Sequence, residues 1–379
     1  MSGNSSITVQ PVRTARQRRL FLTFPWKVYR HDPLWVPPLL SERRKAIDPT
    51  RGLFFKNGYA RLFLARRRGR VAGTIACAED RNRTAAHGTP ECMLGFFECL
   101  PDYNVAQALF DQAVDWARRH DHTALYGTYN LDREDSRGIL IEGRDRPPVS
   151  YCGHNPPYYP EFFERYGFRK DGSDGLAYII EVDLQSTPIQ HMMRLADRIR
   201  QRKNITVRGG NLQDIDGEID RILELQNRGL AHFDGFTPYT RTAIESIVRP
   251  MLDILDPELV LFAEIDGRTV GWFPGVPNMN ELLIHINGLR HPWDYLRLLR
   301  YARLKPLTLA VKSVAVLPEY WDTGVGVLLF DEMACRASAK GYRWVDLSVT
   351  GEDNVDTFPL AHRMGARIYK RYRFYRLDL

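Results

Sequence analysis

The residue types best suited to hold a charged ligand lie in one stretch, Val314-Ala-Val-Leu-Pro-Glu-Tyr-Trp-Asp-Thr-Gly-Val-Gly326. A buried-strand pattern runs into a short loop with two glycines, and a helix pattern begins at the second. The first amides of a helix have no partner within the helix, so they face outward. Glycine lets a pyrophosphate approach the main chain with no Cβ in the way. The helix dipole favours an anion there by about 0.3–1 kcal/mol. Two glycines also mark tight strand-to-helix packing, so the diagnostic weight rests on the whole order: strand, Val-x-Pro-Glu-Tyr, GxG, helix.

Other candidates are scattered. Glu98 ends an apolar strand, and with His154, Tyr158 and Tyr159 it lines a polar cleft or fills ordinary core and surface roles. Glu319 and His362 stand near the loop or a late helix, where a surface Glu and a solvated His are the plain readings; Ser313 is uncommitted. The stretch 131–148, LDREDSRGILIEGRDRPP, reads as a substrate loop or as an insertion. Five cysteines (Cys77, Cys92, Cys99, Cys152, Cys335) show no zinc-site spacing and read as reduced, buried small hydrophobes, so no metal is expected.

These residues sit on a chain that repeats itself. ITVQPV at 7–12 returns as ITVRGG at 205–210, and Gly69-Arg-Val-Ala-Gly73 returns as Gly267-Arg-Thr-Val-Gly271. Arg165-Tyr-Gly-Phe168 returns as Arg363-Met-Gly-Ala366, and Val105–Asp111 matches Val325–Asp331. The register implies about 22 extra residues in the second copy around Pro274–Lys305, and a comparable excess in the first around Thr128–His154. The expected division is 1–184, a basic amphipathic linker helix at 185–203, and 204–379. Hairpins are expected at Arg61–Ala65 with Val71–Cys77 and at Leu259–Glu264 with Thr269–Phe273. A continuous buried strand is expected over Leu309–Leu317, a helix over Val325–Ala339 and a strand over Trp344–Val349.

Composition is that of a folded protein, 44% hydrophobic and 26% charged. No stretch reaches the roughly 18–20 apolar residues of a membrane span. The start MSGNSSITVQ lacks the form of a secretory signal, which places the chain in the cytoplasm by default. The net charge of +7 is scattered and comes with no nucleic-acid motif, which argues against nucleic acid as a partner.

The Val314–Gly326 segment resembles the acyl-CoA loop of the GNAT acyltransferase superfamily, and its flanking elements follow that family's order. Asn354 before a helix and Met364-Gly-Ala366 is similar to the family's late signature, as are Asn155, Pro-Pro-Tyr-Tyr and Tyr166-Gly-Phe168 in the first copy. The resemblance covers nearly the whole chain, in a tandem layout like that of mycothiol synthase. It implies an α/β (α+β) protein of two GNAT-like domains, each a mixed, mostly antiparallel sheet flanked by helices. It implies an acyltransferase moving an acetyl or longer group from acetyl-CoA or another acyl-CoA to a small-molecule amine, as a monomer or homodimer. A non-catalytic acyl-CoA or small-ligand sensor is the alternative.

Carried over residue by residue, Val314, Ala315, Val316, Trp321, Thr323, Gly324, Val325, Gly326 and Asn354 bind the cosubstrate. Glu98, His154, Tyr158 and Tyr159 are the expected catalytic set, reaching the reaction if the cleft is shared between copies. Three departures stand out. Trp321 occupies a position usually Gln or Arg. The family's helix tyrosine falls on Ala361 and Phe163. In the first copy Asn104 and Ala106 replace the glycines beside Asp102, which makes that copy a degenerate partner.

Overall fold

The computed structural model describes residues 6–131, 135–233, 236–354 and 361–379. In chain order the strands are β1 (Ile7–Pro11), β2 (Gly58–Arg67), β3 (Arg70–Asp80), β4 (Cys92–Cys99), β5 (Ala124–Gly127), β6 (Ile139–Glu142), β7 (Arg169–Lys170) and β8 (Gly175–Glu181). There follow β9 (Ile205–Arg208), β10 (Val260–Ile265), β11 (Arg268–Pro277), β12 (Thr308–Val311), β13 (Ala315–Val316), β14 (Trp344–Gly351), β15 (Arg367–Arg373) and β16 (Tyr375–Asp378). The helices are α1 (Ala15–Thr23), α2 (Pro25–Val28), α3 (Leu40–Ala46), α4 (Arg81–His87), α5 (Tyr103–Arg118) and α6 (Tyr159–Tyr166). The second half adds α7 (Thr187–Arg202), α8 (Ile215–Gly229), α9 (Arg241–Val248), α10 (Asn280–Leu283), α11 (Asp294–Tyr301) and α12 (Val325–Ala339).

The chain divides into two compact units, neither continuous in sequence. Unit 1 holds Met1–Gly175, Asn280–Leu304 and Lys370–Leu379; unit 2 holds Leu176–Met279 and Lys305–Tyr369. Unit 1 carries the sheet β1-β2-β3-β4-β5-β16-β7, and unit 2 is built on β9-β10-β11-β12-β14-β8, with β13 also on β11. In each, a parallel pair, β4–β5 or β12–β14, interrupts antiparallel pairings. Both are mixed sheets flanked by helices, an α/β architecture.

The repeat survives as register. Val9 pairs with Ala65, and Val207 pairs with Ala263. Both hairpins close on a turn with two left-handed residues, Arg68-Gly69 (φ 49° and 74°) and Asp266-Gly267 (φ 50° and 79°). That is the turn whose twist matches a two-residue hairpin, and glycine adopts it without steric cost.

The units cut the chain elsewhere than the repeat boundaries at 184 and 204. β8 closes the first repeat but lies in the sheet of unit 2 from Leu176 on, while β16 closes the second repeat and enters unit 1 between β5 and β7. The helix expected as a linker is α7, and it belongs to the core of unit 2. Ile189, Met192 and Ala196 are buried there with Phe273, Leu328 and Phe330. The extra residues of the second copy join unit 1: Trp26 Nε1 donates to Asn287 Oδ1 at 2.7 Å, and Asn280 Nδ2 donates to the Pro148 carbonyl at 2.9 Å.

The strand expected to run unbroken over Leu309–Leu317 is two strands. β12 pairs with β11 through Val311↔Gly275, and β13 resumes at Ala315↔Trp272, so one extra residue is accommodated between them. Ser313 takes φ 52° there. β4 has the same irregularity: Gly95 pairs with Ala76 and Glu98 with Thr74, with Phe96 at φ 48° between them. These are β-bulges, which bend a strand and re-aim its groups.

Candidate functional site

In each unit the bulged strand parts from its parallel neighbour. β4 pairs with β5 only through Leu94↔Gly127, and β12 pairs with β14 only through Ala310↔Asp346. Beyond these pairs, backbone groups that a closed sheet would consume are exposed to whatever fills the opening.

In unit 2 the Leu317 amide donates to the Val270 carbonyl on β11 at 2.9 Å. Successive amides point to opposite strand edges, so those of Val314 and Val316 turn away from β11, toward the opening. The Val316 carbonyl accepts Trp321 Nε1 at 2.9 Å. Trp321, in the place usually held by Gln or Arg, thus ties the loop back onto β13. The bulge is held from the other side by Gln226 on α8, whose Nε2 donates to the Ser313 carbonyl at 2.6 Å. The Gln226 Oε1 is buried without a hydrogen-bond partner.

A short 3-10 turn, Pro318–Thr323, then leads to α12. Gly324 is the N-cap at φ 91°, and no side chain caps the helix. The helix runs over Val325–Ala339, the span its apolar spacing predicts. Its first amides therefore have neither a helical acceptor nor a capping oxygen. Gly324 has a packing reason as well, because a Cβ there would sit 2.7 Å from Ile199 Cδ1 on α7. The Lys203 ammonium donates to the Thr323 carbonyl at 2.8 Å and adds positive charge beside the helix start. Glu319 is a surface ion pair, 2.8 Å from Arg228, and its carboxyl is held below the usual range by its backbone hydrogen bond and then by that guanidinium. His362 is exposed.

Asn354 lies just after β14, where its Nδ2 donates to Thr350 Oγ1 at 2.8 Å and its amide donates to the Gly351 carbonyl. Of the helix expected to follow, residues 361–363 are helical, while 355–360 lie outside the described residues.

In unit 1 the same opening is filled by the chain itself. Leu100 donates to the Ala72 carbonyl at 3.1 Å, so the Cys99 amide faces the opening. That amide donates to the Tyr159 hydroxyl at 2.8 Å, and the Cys99 carbonyl accepts the Tyr158 hydroxyl at 2.7 Å. The Phe96 amide donates to Asn130 Oδ1 at 2.8 Å. A Cβ on Gly95 would lie 1.9 Å from the Tyr129 carbonyl oxygen, so only glycine admits this segment. The helix start is filled too: Asp102 caps α5, accepting the Asn104 amide at 3.2 Å, and pairs with Arg67.

Glu98, Tyr158, Tyr159 and His154 do come together around β4. The Tyr159 hydroxyl donates to Glu98 Oε2 at 2.8 Å. The Tyr29 hydroxyl lies 3.4 Å from Glu98 Oε1 and 3.0 Å from the His154 carbonyl. Burial pushes the Glu98 carboxyl up to about 7, against the opposing pull of the two tyrosine hydroxyls and the Arg43 charge. Burial likewise raises the Tyr159 and Tyr29 hydroxyls well above their ordinary value and lowers His154. His154 Nε2 lies 2.7 Å from Asp32 Oδ2, while its Nδ1 is buried without a hydrogen-bond partner. Trp35 stacks on Tyr29 at 4.8 Å and Trp26 meets Trp35 edge-on at 5.2 Å, an aromatic wall behind the hydroxyl.

Residues 220–366 match the acetyltransferase (GNAT) family model. Among solved structures, a tandem GNAT protein from the clavulanic acid biosynthesis pathway superposes with a TM-score of 0.59 at 16% identity, over 98% of both chains. The chain has the fold of a tandem GNAT protein. A GCN5-related N-acetyltransferase from Sphaerobacter thermophilus shares the fold at a TM-score of 0.52 and 14% identity, over 98% of this chain and 95% of that one. Two curated relatives align along nearly the whole chain. Bacterial ceramide synthase of Caulobacter vibrioides is 29% identical over 383 residues, covering 99% of this chain and 98% of its own length. Protein YghO of Escherichia coli is 28% identical over 363 residues, covering 94% and 92%.

Sequence reasoning missed several residues of this GNAT pair. Tyr29, Asp32 and Trp35 reach Glu98 and His154 from the loop after α2, and Asn130 and Gln226 brace the two bulges. None belongs to a local motif. Part of the 131–148 loop, residues 132–134, lies outside the described residues. The remainder forms β6 and a turn whose Gly143 and Arg146 carbonyls accept the buried Lys370 ammonium at 2.5 and 2.8 Å. Among the described residues no helix is long and apolar enough to cross a membrane.

Proposed function

We propose that the protein transfers an acyl group from an acyl-CoA to the amine of a hydrophobic acceptor. The observation that carries this reading is the uncapped start of α12 beside the bulged strand, inside the stretch that matches the acetyltransferase family. Thr323, Gly324, Val325 and Gly326 would hold the pyrophosphate through main-chain amides, with Lys203 adding charge. Val314, Ala315 and Val316 would lie along the thioester, bordered by Trp321 and by Asn354. The acyl-CoA supplies an activated carbonyl, and the amides of Val314 and Val316 stabilise the charge that develops on its oxygen. The amine nitrogen bonds to the carbonyl carbon and gives up a proton to water or a nearby base, the carbon–sulfur bond breaks, and the sulfur leaves as thiolate. That departure needs no general acid, since a thiol of this kind has a pKa near about 8.5, as cysteine does.

Support for a hydrophobic amine comes from the relative named bacterial ceramide synthase, aligned over nearly the whole of both chains. A ceramide is the fatty amide of a long-chain amino alcohol, and we infer an acceptor of that class. The test is purified protein with acetyl-CoA or a long-chain acyl-CoA and a panel of long-chain amino alcohols and small amines. Amide mass and free thiol should appear together with the long-chain amines. Acyl-CoA binding without amide from any amine would make it a binding protein instead.

A second reading concerns the proton. Glu98, half-buried and at about 7, suits a general base near neutral pH, and the unpartnered Nδ1 of His154 suits an amine N–H. In this reading the Glu98 carboxylate takes the ammonium proton. Activity would then rise with pH through about 7 and lose that step in Glu98→Gln.

A further inference from the structure

The short helix α11 is turned inside out. Asp294 is 0% exposed, and its carboxylate accepts the His291 amide at 2.8 Å, Asn287 Nδ2 at 3.2 Å and Arg297 Nη1 at 3.3 Å. The outward side carries Tyr295, Leu296 and Leu299, which with Trp293 are 55%, 69%, 73% and 57% exposed. These are the four highest values for large apolar side chains among the described residues. A surface helix ordinarily buries its apolar stripe and shows its charges. One exposed leucine needs no explanation, but a contiguous cluster marks a surface that meets something.

The charges around the patch say what. Arg290, Arg297, Arg300 and Arg303 lie within 290–304, where Asp294 is the sole acid and is already paired. A second copy of the chain on a two-fold axis would bring these arginines against themselves, which opposes self-association. An anionic bilayer satisfies both features. Its headgroups take the guanidinium groups, its interface takes Trp and Tyr rings, and leucines enter the acyl boundary.

We propose that α11 docks the protein on an anionic phospholipid surface, as a peripheral element. The inference stands on α11 alone and does not depend on the acyl-transfer reading. Co-sedimentation of the full chain with vesicles tests it. Vesicles of phosphatidylcholine mixed with phosphatidylglycerol should bind the protein, vesicles of phosphatidylcholine alone should bind it weakly, and added salt should release it. Leu296→Glu with Leu299→Glu should lower affinity at least about tenfold, and Arg300→Ala or Arg303→Ala about fivefold each at low salt. The melting temperature of the double leucine variant should match wild type, because both side chains are exposed.

Equal binding by wild type and the leucine variant would overturn the proposal, as would no binding of wild type to anionic vesicles. A fall in melting temperature would show the leucines packed and overturn it too. A wild-type dimer in ultracentrifugation that the leucine variant loses would make the face a protein interface instead.

Discussion

In unit 1 the residue just past the bulge is Glu98, opposite Thr74; in unit 2 the residue at that register is Ala315, opposite Trp272. The helix that follows is capped by Asp102 in unit 1 and left uncapped behind Gly324 in unit 2. The two copies therefore present different groups at the same place in the fold. Unit 1 carries a half-buried carboxyl at about 7 and has filled its own opening with Tyr158, Tyr159 and the Tyr129–Asn130 segment. Unit 2 retains backbone amides facing an opening and a helix start fit for an anion. A scaffold present twice need not keep every group in both copies, and a helix start already satisfied by its own carboxylate repels a second anion.

The contrast breaks most directly at the helix starts. Gly326→Asp places a carboxylate where the reading puts phosphate, so calorimetry with coenzyme A should show affinity lower by about a hundredfold or more, the scale of losing roughly 2.7 kcal/mol or more. Asp102→Ala should leave that affinity unchanged. The reverse pattern would move the binding site to unit 1.

The carboxyl is the next largest lever. Glu98→Gln should lower turnover at least about tenfold without weakening coenzyme A binding. It should also change how stability depends on pH. The folded pKa of about 7 lies above the unfolded value, so the protonated form is the one folding favours. That contribution is fully present below about pH 4.3 and is lost as pH rises through about 7, a swing of roughly 3 kcal/mol. Urea melts should therefore show Glu98→Gln gaining on wild type between those limits. A constant gap would mean that Glu98 is solvated.

Tyr159→Phe sharpens the picture of a filled opening. It strips the Cys99 amide of its acceptor and Glu98 of a donor, at a cost of roughly 1–3 kcal/mol. Because the lost bond favoured the charged carboxylate, the Glu98 titration should move up, seen as a more alkaline pH profile. The smallest effect is that of Asp102→Ala on stability, about 1 kcal/mol in the same melts for the lost cap.

Much of this was legible along the chain. The left-handed turns at Arg68-Gly69 and Asp266-Gly267, the hairpins around them and α12 over Val325–Ala339 follow from spacing and residue type, because each depends on neighbours in sequence. The open loop at Gly324 and the closed one at Asp102 could be told apart by the residues themselves. Other features were not legible. Leu309–Leu317 reads as one strand, yet a one-residue bulge at Ser313 breaks it, since the mismatch exists only against β11. Residues 294–301 read only as part of the extra stretch around Pro274–Lys305, and packing decided that Asp294 faces in and Leu299 faces out.

The sequence by itself determined that the fold occurs twice and which copy keeps an unobstructed helix start, since both rest on local spacing and on side chains present or absent. The tertiary structure alone decided that β8 and β16 each join the sheet of the other repeat, that α7 is core rather than linker, and that Tyr29 reaches Glu98. Those contacts join residues tens to hundreds of positions apart, where no period in the sequence links them and only burial and hydrogen-bond closure in the folded chain select the partner.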